Sequence, residues 1–112
     1  MSPITTHVLD TAGGQPAQGV AVVVEHLDGD VWTTLGRGTT DADGRILNLR
    51  ADAPLSAGVY RLRFSTGDYF RATGREAFYP EVQVMVQLER AGGHYHLPLL
   101  LSPFGYTTYR GS

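Results

Sequence analysis

The chain has neither cysteine nor lysine; all nine of its basic residues are arginine. The first absence excludes thiol nucleophiles, cysteine-ligated zinc and disulfides, and leaves the redox compartment open. The second excludes Schiff-base chemistry and a lysine general base. No stretch approaches the ~18 apolar residues of a membrane-crossing helix. The opening "MSPITTHVLD" lacks the basic flank and apolar run of a leader peptide, and the closing "RGS" is not a peroxisomal "SKL". A cytoplasmic location is expected. Nine basic residues against 11 acidic give a net charge of −2, so no footprint for nucleic acid or an anionic membrane is present. A Gly-x-Ser-x-Gly elbow and a phosphate-cradling glycine loop are also missing.

What is present is enough to fold. Hydrophobic content of 42% over 112 residues supports one buried core, and a single domain over residues 1–112 is expected. The dominant period is two. In "EVQVMVQL", Val82, Val84, Val86 and Leu88 share one face against Gln83, Met85 and Gln87. In "GVYRLRFS", Tyr60, Leu62 and Phe64 alternate with Arg61 and Arg63. "GVAVVVEH" and "VWTTLG" flank an Asp-Gly, a strong hairpin signal. "TTDADGRI" supplies another tight turn at Asp41–Gly44, leading into a short strand from Arg45 to Leu49. Only "DYFRATG" reads as helical, with Asp68 placed to cap its start and Gly74 its end. The spacing predicts an all-β antiparallel sandwich of about eight strands with one short helix.

Histidines are the candidate chemical groups: His7, His26, His94 and His96. Alternation in "HYHLPLL" puts His94 and His96 on one face of a strand, a spacing able to supply two zinc ligands, with His7 or Glu25 as a possible third. Hydrogen-bonded strand histidines are the commoner outcome. "DADG" has half the pattern of a calcium loop but lacks the remaining acidic ligands. Pro98 cannot donate to a ladder, which points to an edge, a bulge or an interface. Arg45 follows a tight turn able to hold its guanidinium rigidly.

Three stretches together resemble one family: "HVLD" from His7, "DGR" ending at Arg45, and "HYHLPLLLSPFGYTTYRGS" from His94 to Ser112. The family is that of the transthyretin-like 5-hydroxyisourate hydrolases, and the terminal "YRGS" is the element that separates them from transthyretin proper. The resemblance implies a transthyretin-like (prealbumin-like) sandwich and a homotetramer, a dimer of dimers with active sites in the channel where dimers meet. It implies hydrolysis of 5-hydroxyisourate to 2-oxo-4-hydroxy-4-carboxy-5-ureidoimidazoline in urate breakdown, without metal or cofactor. By resemblance the catalytic residues are His7, Arg45, His96 and Ser112, with His7, Arg45 and Tyr109 binding substrate. As the last residue, Ser112 is expected to reach the site with its hydroxyl and its terminal carboxylate. A ligand-carrying module on the same fold is the rival reading.

Overall fold

The computed structural model describes residues 3–49, 55–89 and 93–111. Two sheets face each other across a common core. One is built from β1 (Ile4–Asp10), β2 (Gln15–Pro16), β5 (Arg45–Ile46), β8 (Tyr95–Ser102) and β9 (Gly105–Thr108); the other from β3 (Ala21–Asp28), β4 (Val31–Thr39), β6 (Gly58–Phe64) and β7 (Val82–Leu88). The expected transthyretin-like sandwich with one helix is present. Its strand count is raised by β2, two residues too short to carry a pattern.

The period-two readings translate directly into burial. Tyr60, Leu62 and Phe64 point inward from β6, with Val82, Val84 and Leu88 from β7 and Val22 and Val24 from β3. They meet Val8, Leu97, Leu99 and Leu101 of the other sheet. Each fully buried side chain of this size contributes about 1.5–3 kcal/mol. The β3–β4 hairpin closes with Asp28 opposite Val31, leaving Gly29 and Asp30 as its loop. Only Gly29 takes a positive φ, 62°, as a primed turn with glycine at its first central position requires.

Four expectations need correction. The sandwich is not wholly antiparallel: β1 and β8 run parallel, with Thr5 paired to His96 and His7 to Pro98. Of the settings expected for Pro98 (an edge, a bulge or an interface), the edge is ruled out, because β8 lies between β1 and β9. β9 pairs with β8 up to Thr108 opposite Leu99, lapses at Tyr109 and Arg110, and returns where Gly111 bridges His96. Pro98 turns its carbonyl toward β9, where it accepts a hydrogen bond from Thr108 Oγ1 at 2.7 Å. Its missing N–H therefore faces the same gap, and the ladder breaks there. The strand expected from Arg45 to Leu49 is only two residues long.

The fourth correction concerns helix α1, Thr66–Ala72, whose N-cap is Ser65 and not Asp68. Asp68 sits exposed in the first turn and pairs with Arg71. The earlier start is set by packing: Gly67 donates to the Pro80 carbonyl, and a Cβ there would lie 2.6 Å from that oxygen. Gly74 ends the helix as expected, at φ 74°, with Arg75 N–H bonding Phe70 O and Gly74 N–H bonding Arg71 O. The helix is stapled to β1 by Asp10, whose side chain is fully buried and accepts from Tyr69 Oη at 2.8 Å and from Arg75. Burial pushes the Asp10 carboxyl up, but Arg75, the Gly13 N–H and the Tyr69 hydroxyl outweigh it and hold it below the ordinary value.

Candidate active site

Strand parity decides which side chains meet on the outer face of the five-stranded sheet. β1 sends Thr6, Val8 and Asp10 inward, and Thr5, His7 and Leu9 the other way. β8 sends Leu97, Leu99 and Leu101 inward, leaving His96, Pro98 and Leu100 on the outer side. The parallel register sets Thr5 beside His96, and β5 sets Arg45 opposite His7. On the far side of β8, Gly111 lies opposite His96, and the same register carried one step along puts Tyr109 opposite Pro98. Residues from both ends and the middle of the chain thus form one outward patch.

One turn positions two of them. The Asp41 carboxylate accepts from the backbone N–H groups of Asp43 at 2.9 Å and Arg45 at 3.0 Å. Gly44, at φ 77°, bonds through its carbonyl to the Val8 N–H at 2.7 Å, and a Cβ there would lie 2.3 Å from the Val8 carbonyl. The turn is therefore pressed against β1. From it, the Asp43 carbonyl accepts a hydrogen bond from His7 Nε2 at 2.9 Å. A carbonyl only accepts, so Nε2 carries the proton and Nδ1 is the open nitrogen of His7. Arg45 leaves the same turn exposed, with no side-chain hydrogen bond or ion pair among the described residues.

His96 is held differently. Its Nδ1 lies 2.8 Å from the hydroxyl of buried Thr5. Burial lowers its pKa, and the neighbouring His7, Arg45 and His94 lower it further, with Thr5 pulling the other way. The ring is neutral at neutral pH and can accept a proton. The patch therefore combines a neutral imidazole, a second imidazole with a fixed tautomer, and an uncommitted guanidinium.

His7, Arg45 and His96 come together as the sequence suggested, and Tyr109, 55% exposed, lies alongside. Ser112 lies outside the described residues. His94 precedes β8 and is exposed, so the two histidines do not share a regular strand. Among the described residues no three His, Asp or Glu side chains gather at metal-binding distance. Glu25, one candidate third ligand, lies in the other sheet and pairs with Arg61 and Arg63. His26 stacks on core Tyr60, ring centroids 4.7 Å apart. Arg110 departs from the rest of "YRGS", with its guanidinium over the Tyr95 ring at 5.0 Å. Sequence reasoning missed Thr5 and Asp43. The turn that drew attention to Arg45 contains Asp43, but Thr5 is 91 residues from the ring it touches and gives no local signal.

An apolar hollow of about 330 Å³ opens between β7 and the ends of β8 and β9, lined by Val84, Met85, Val86, Tyr95 and Leu97. His96 and Tyr109 border it, but His7 and Arg45 do not. The two histidines and Arg45 meet on the outer patch and not in this hollow.

Comparison with known proteins gives a consistent picture. The sequence model of the HIUase/Transthyretin family matches residues 4–111. The chain is 47% identical over 116 residues to the 5-hydroxyisourate hydrolase of Caulobacter vibrioides, covering all of both proteins. It is 44% identical over 113 residues to that of Mus musculus, covering 99% of this chain and 96% of the mouse protein. Its fold is similar to Klebsiella pneumoniae 5-hydroxyisourate hydrolase, with a TM-score of 0.85, 42% identity, and 97% and 98% of the two chains covered. It is also similar to transthyretin from Sparus aurata, with a TM-score of 0.91, 39% identity, and 99% and 97% covered.

Proposed function

The chain belongs to the HIUase/transthyretin family, and we propose that it is a 5-hydroxyisourate hydrolase acting in urate degradation. The fold alone does not choose between hydrolase and carrier, since it is similar to solved structures of both. The observation that carries the reading is the meeting of His7, Arg45 and His96 on one outward patch. A carrier has no need of acid–base groups held this way; hydrolysis of a cyclic amide does.

Neutral His96 takes a proton from water as its oxygen adds to the ring carbonyl. Arg45, with no partner carboxylate among the described residues, neutralises the charge that develops on that carbonyl oxygen. The C–N bond then breaks as the proton His96 took from water passes by way of His7 Nδ1, the open nitrogen of that ring, to the leaving nitrogen. Both histidines return to their starting states after one turnover, because the proton taken from water ends on the leaving nitrogen. Tyr109 offers a flat ring and a hydroxyl to the planar substrate, and Ser112 completes the site.

The catalytic unit is a single domain spanning residues 1–112, working as a cytoplasmic homotetramer, a dimer of dimers, with the patch facing the channel between dimers. Among the described residues no helix is long and apolar enough to cross a membrane. The test generates 5-hydroxyisourate from urate with uricase and follows its ultraviolet decay with and without the protein. Accelerated decay is expected. Decay at the spontaneous rate overturns the proposal and favours a carrier.

A further inference from the structure

We propose that Thr5 is a positioning residue for the hydrolysis: its hydroxyl grips the His96 ring at Nδ1, so that Nε2 alone is presented to water and substrate. The proposal rests on the reading of His96 as the base. Thr5 is 3% exposed and sits directly beside His96 in the parallel β1–β8 register, so its backbone is fixed by the ladder. Its branched side chain has few rotamers to choose from. The 2.8 Å contact between Oγ1 and Nδ1 is therefore built in by the fold.

The other side of the ring is fixed too. Gly111 bonds its N–H to the His96 carbonyl at 2.8 Å, and a Cβ on Gly111 would lie 2.7 Å from His96 Cδ2. The imidazole is thus held between a hydroxyl on β1 and bare backbone beyond β9. Occupation of Nδ1 leaves Nε2 as the nitrogen that exchanges protons. With Nδ1–H donating to the threonine oxygen, Nε2 holds a lone pair; when Nε2 gains a proton, the bond at Nδ1 survives unchanged. The base therefore cycles between its two states without moving.

The test uses the full chain carrying Thr5→Val, which keeps the shape and removes the hydroxyl, and Thr5→Ser, which restores it. Thr5→Val is expected to lower kcat about ten- to a hundredfold, the usual cost of losing a histidine's orienting partner, with KM within about twofold. The acid limb of its pH profile should move to lower pH, because the hydroxyl no longer accepts from the protonated ring. His7 on β1, Arg45 on β5, His94 ahead of β8, and Tyr109 and Arg110 after β9 remain in place, so the shift belongs to Thr5. Thr5→Ser should recover most of the activity. Should Thr5→Val fail to fold, Thr5→Ala carries the same expectation.

A readout independent of turnover is the ¹⁵N resonance pair of the His96 ring, expected to change in Thr5→Val and to return in Thr5→Ser. Wild-type kcat in Thr5→Val, or ring resonances that do not change, overturns the proposal. A wild-type protein that leaves 5-hydroxyisourate untouched overturns the assigned function instead, and the ring resonances still decide whether Thr5 holds His96.

Discussion

The outer faces of the two sheets carry the same kinds of polar side chain and use them in opposite ways. On the four-stranded sheet, Glu25 pairs with Arg61 at 2.8 Å, Arg63 reaches both Glu25 and Glu81, and the Arg61 guanidinium lies 4.1 Å from the Trp32 ring centre. Glu25, Arg61, Arg63 and Glu81 are thus all paired with one another. On the five-stranded sheet, Arg45 has none among the described residues, and His7 and His96 each use one ring nitrogen on the protein and keep the other open. Paired charges hold a surface together; unpaired ones are available to a substrate. The lesson is that titratable residues mark a site only where the fold leaves them unspent.

Breaking the open face should have the largest effect. His96→Ala or Arg45→Ala is expected to lower turnover by about 10²–10⁴-fold with little change in melting temperature, since neither side chain packs in the core. The wild-type profile of kcat/KM should hold its activity below pH 6.5 and then fall as pH drops through the lowered His96 value and the base is lost. A profile that falls at or above the ordinary value would contradict the assignment.

The committed charges should behave in reverse. Asp10→Asn removes the negative charge of a buried pair and turns one of its acceptor oxygens into a donor, and is expected to cost about 3 kcal/mol, the low end for such pairs because Arg75 keeps some contact with water. Denaturant unfolding measures it, and turnover per folded molecule should stay near wild type. The carboxyl of Asp10 is lowered in the folded state, so its contribution is present above the ordinary 3.8 and is lost as pH falls through the folded value. In Asp10→Asn that part of the acid unfolding curve should flatten. Glu25→Gln leaves Arg61 without its ion pair and is expected to cost about 1–2 kcal/mol with unchanged kcat. The exposed pair of Asp68 with Arg71 should matter least: Asp68→Ala is expected within about 0.5 kcal/mol of wild type by thermal melting.

Much of this was legible before any coordinates. The alternation in β6 and β7 identified their inward faces because each strand buries one side only. His7, Arg45 and His96 were legible through family resemblance, and Arg45 also through its turn. Non-local facts were not legible. The parallel pairing of β1 with β8 joins residues some 90 positions apart, and no local pattern distinguishes its direction. Pro98 read as an edge, a bulge or an interface because a missing donor needs a broken ladder; that the break lies in β9 and not at the margin of the sheet is a property of the partner strand. Asp68 read as a cap because a capping side chain is visible in sequence, whereas the contact of Gly67 with Pro80 that extends the helix is not. Thr5, in "TTH", looks like any β-branched strand residue until His96 is placed beside it.

The most direct measurement compares 5-hydroxyisourate decay under His96→Ala and under Glu25→Gln, at matched concentrations of folded protein. Decay close to the spontaneous rate with the first, and at the wild-type rate with the second, is the expected result. Equal rates for the two variants, whether both fast or both slow, would contradict the division between an open catalytic face and a committed structural one.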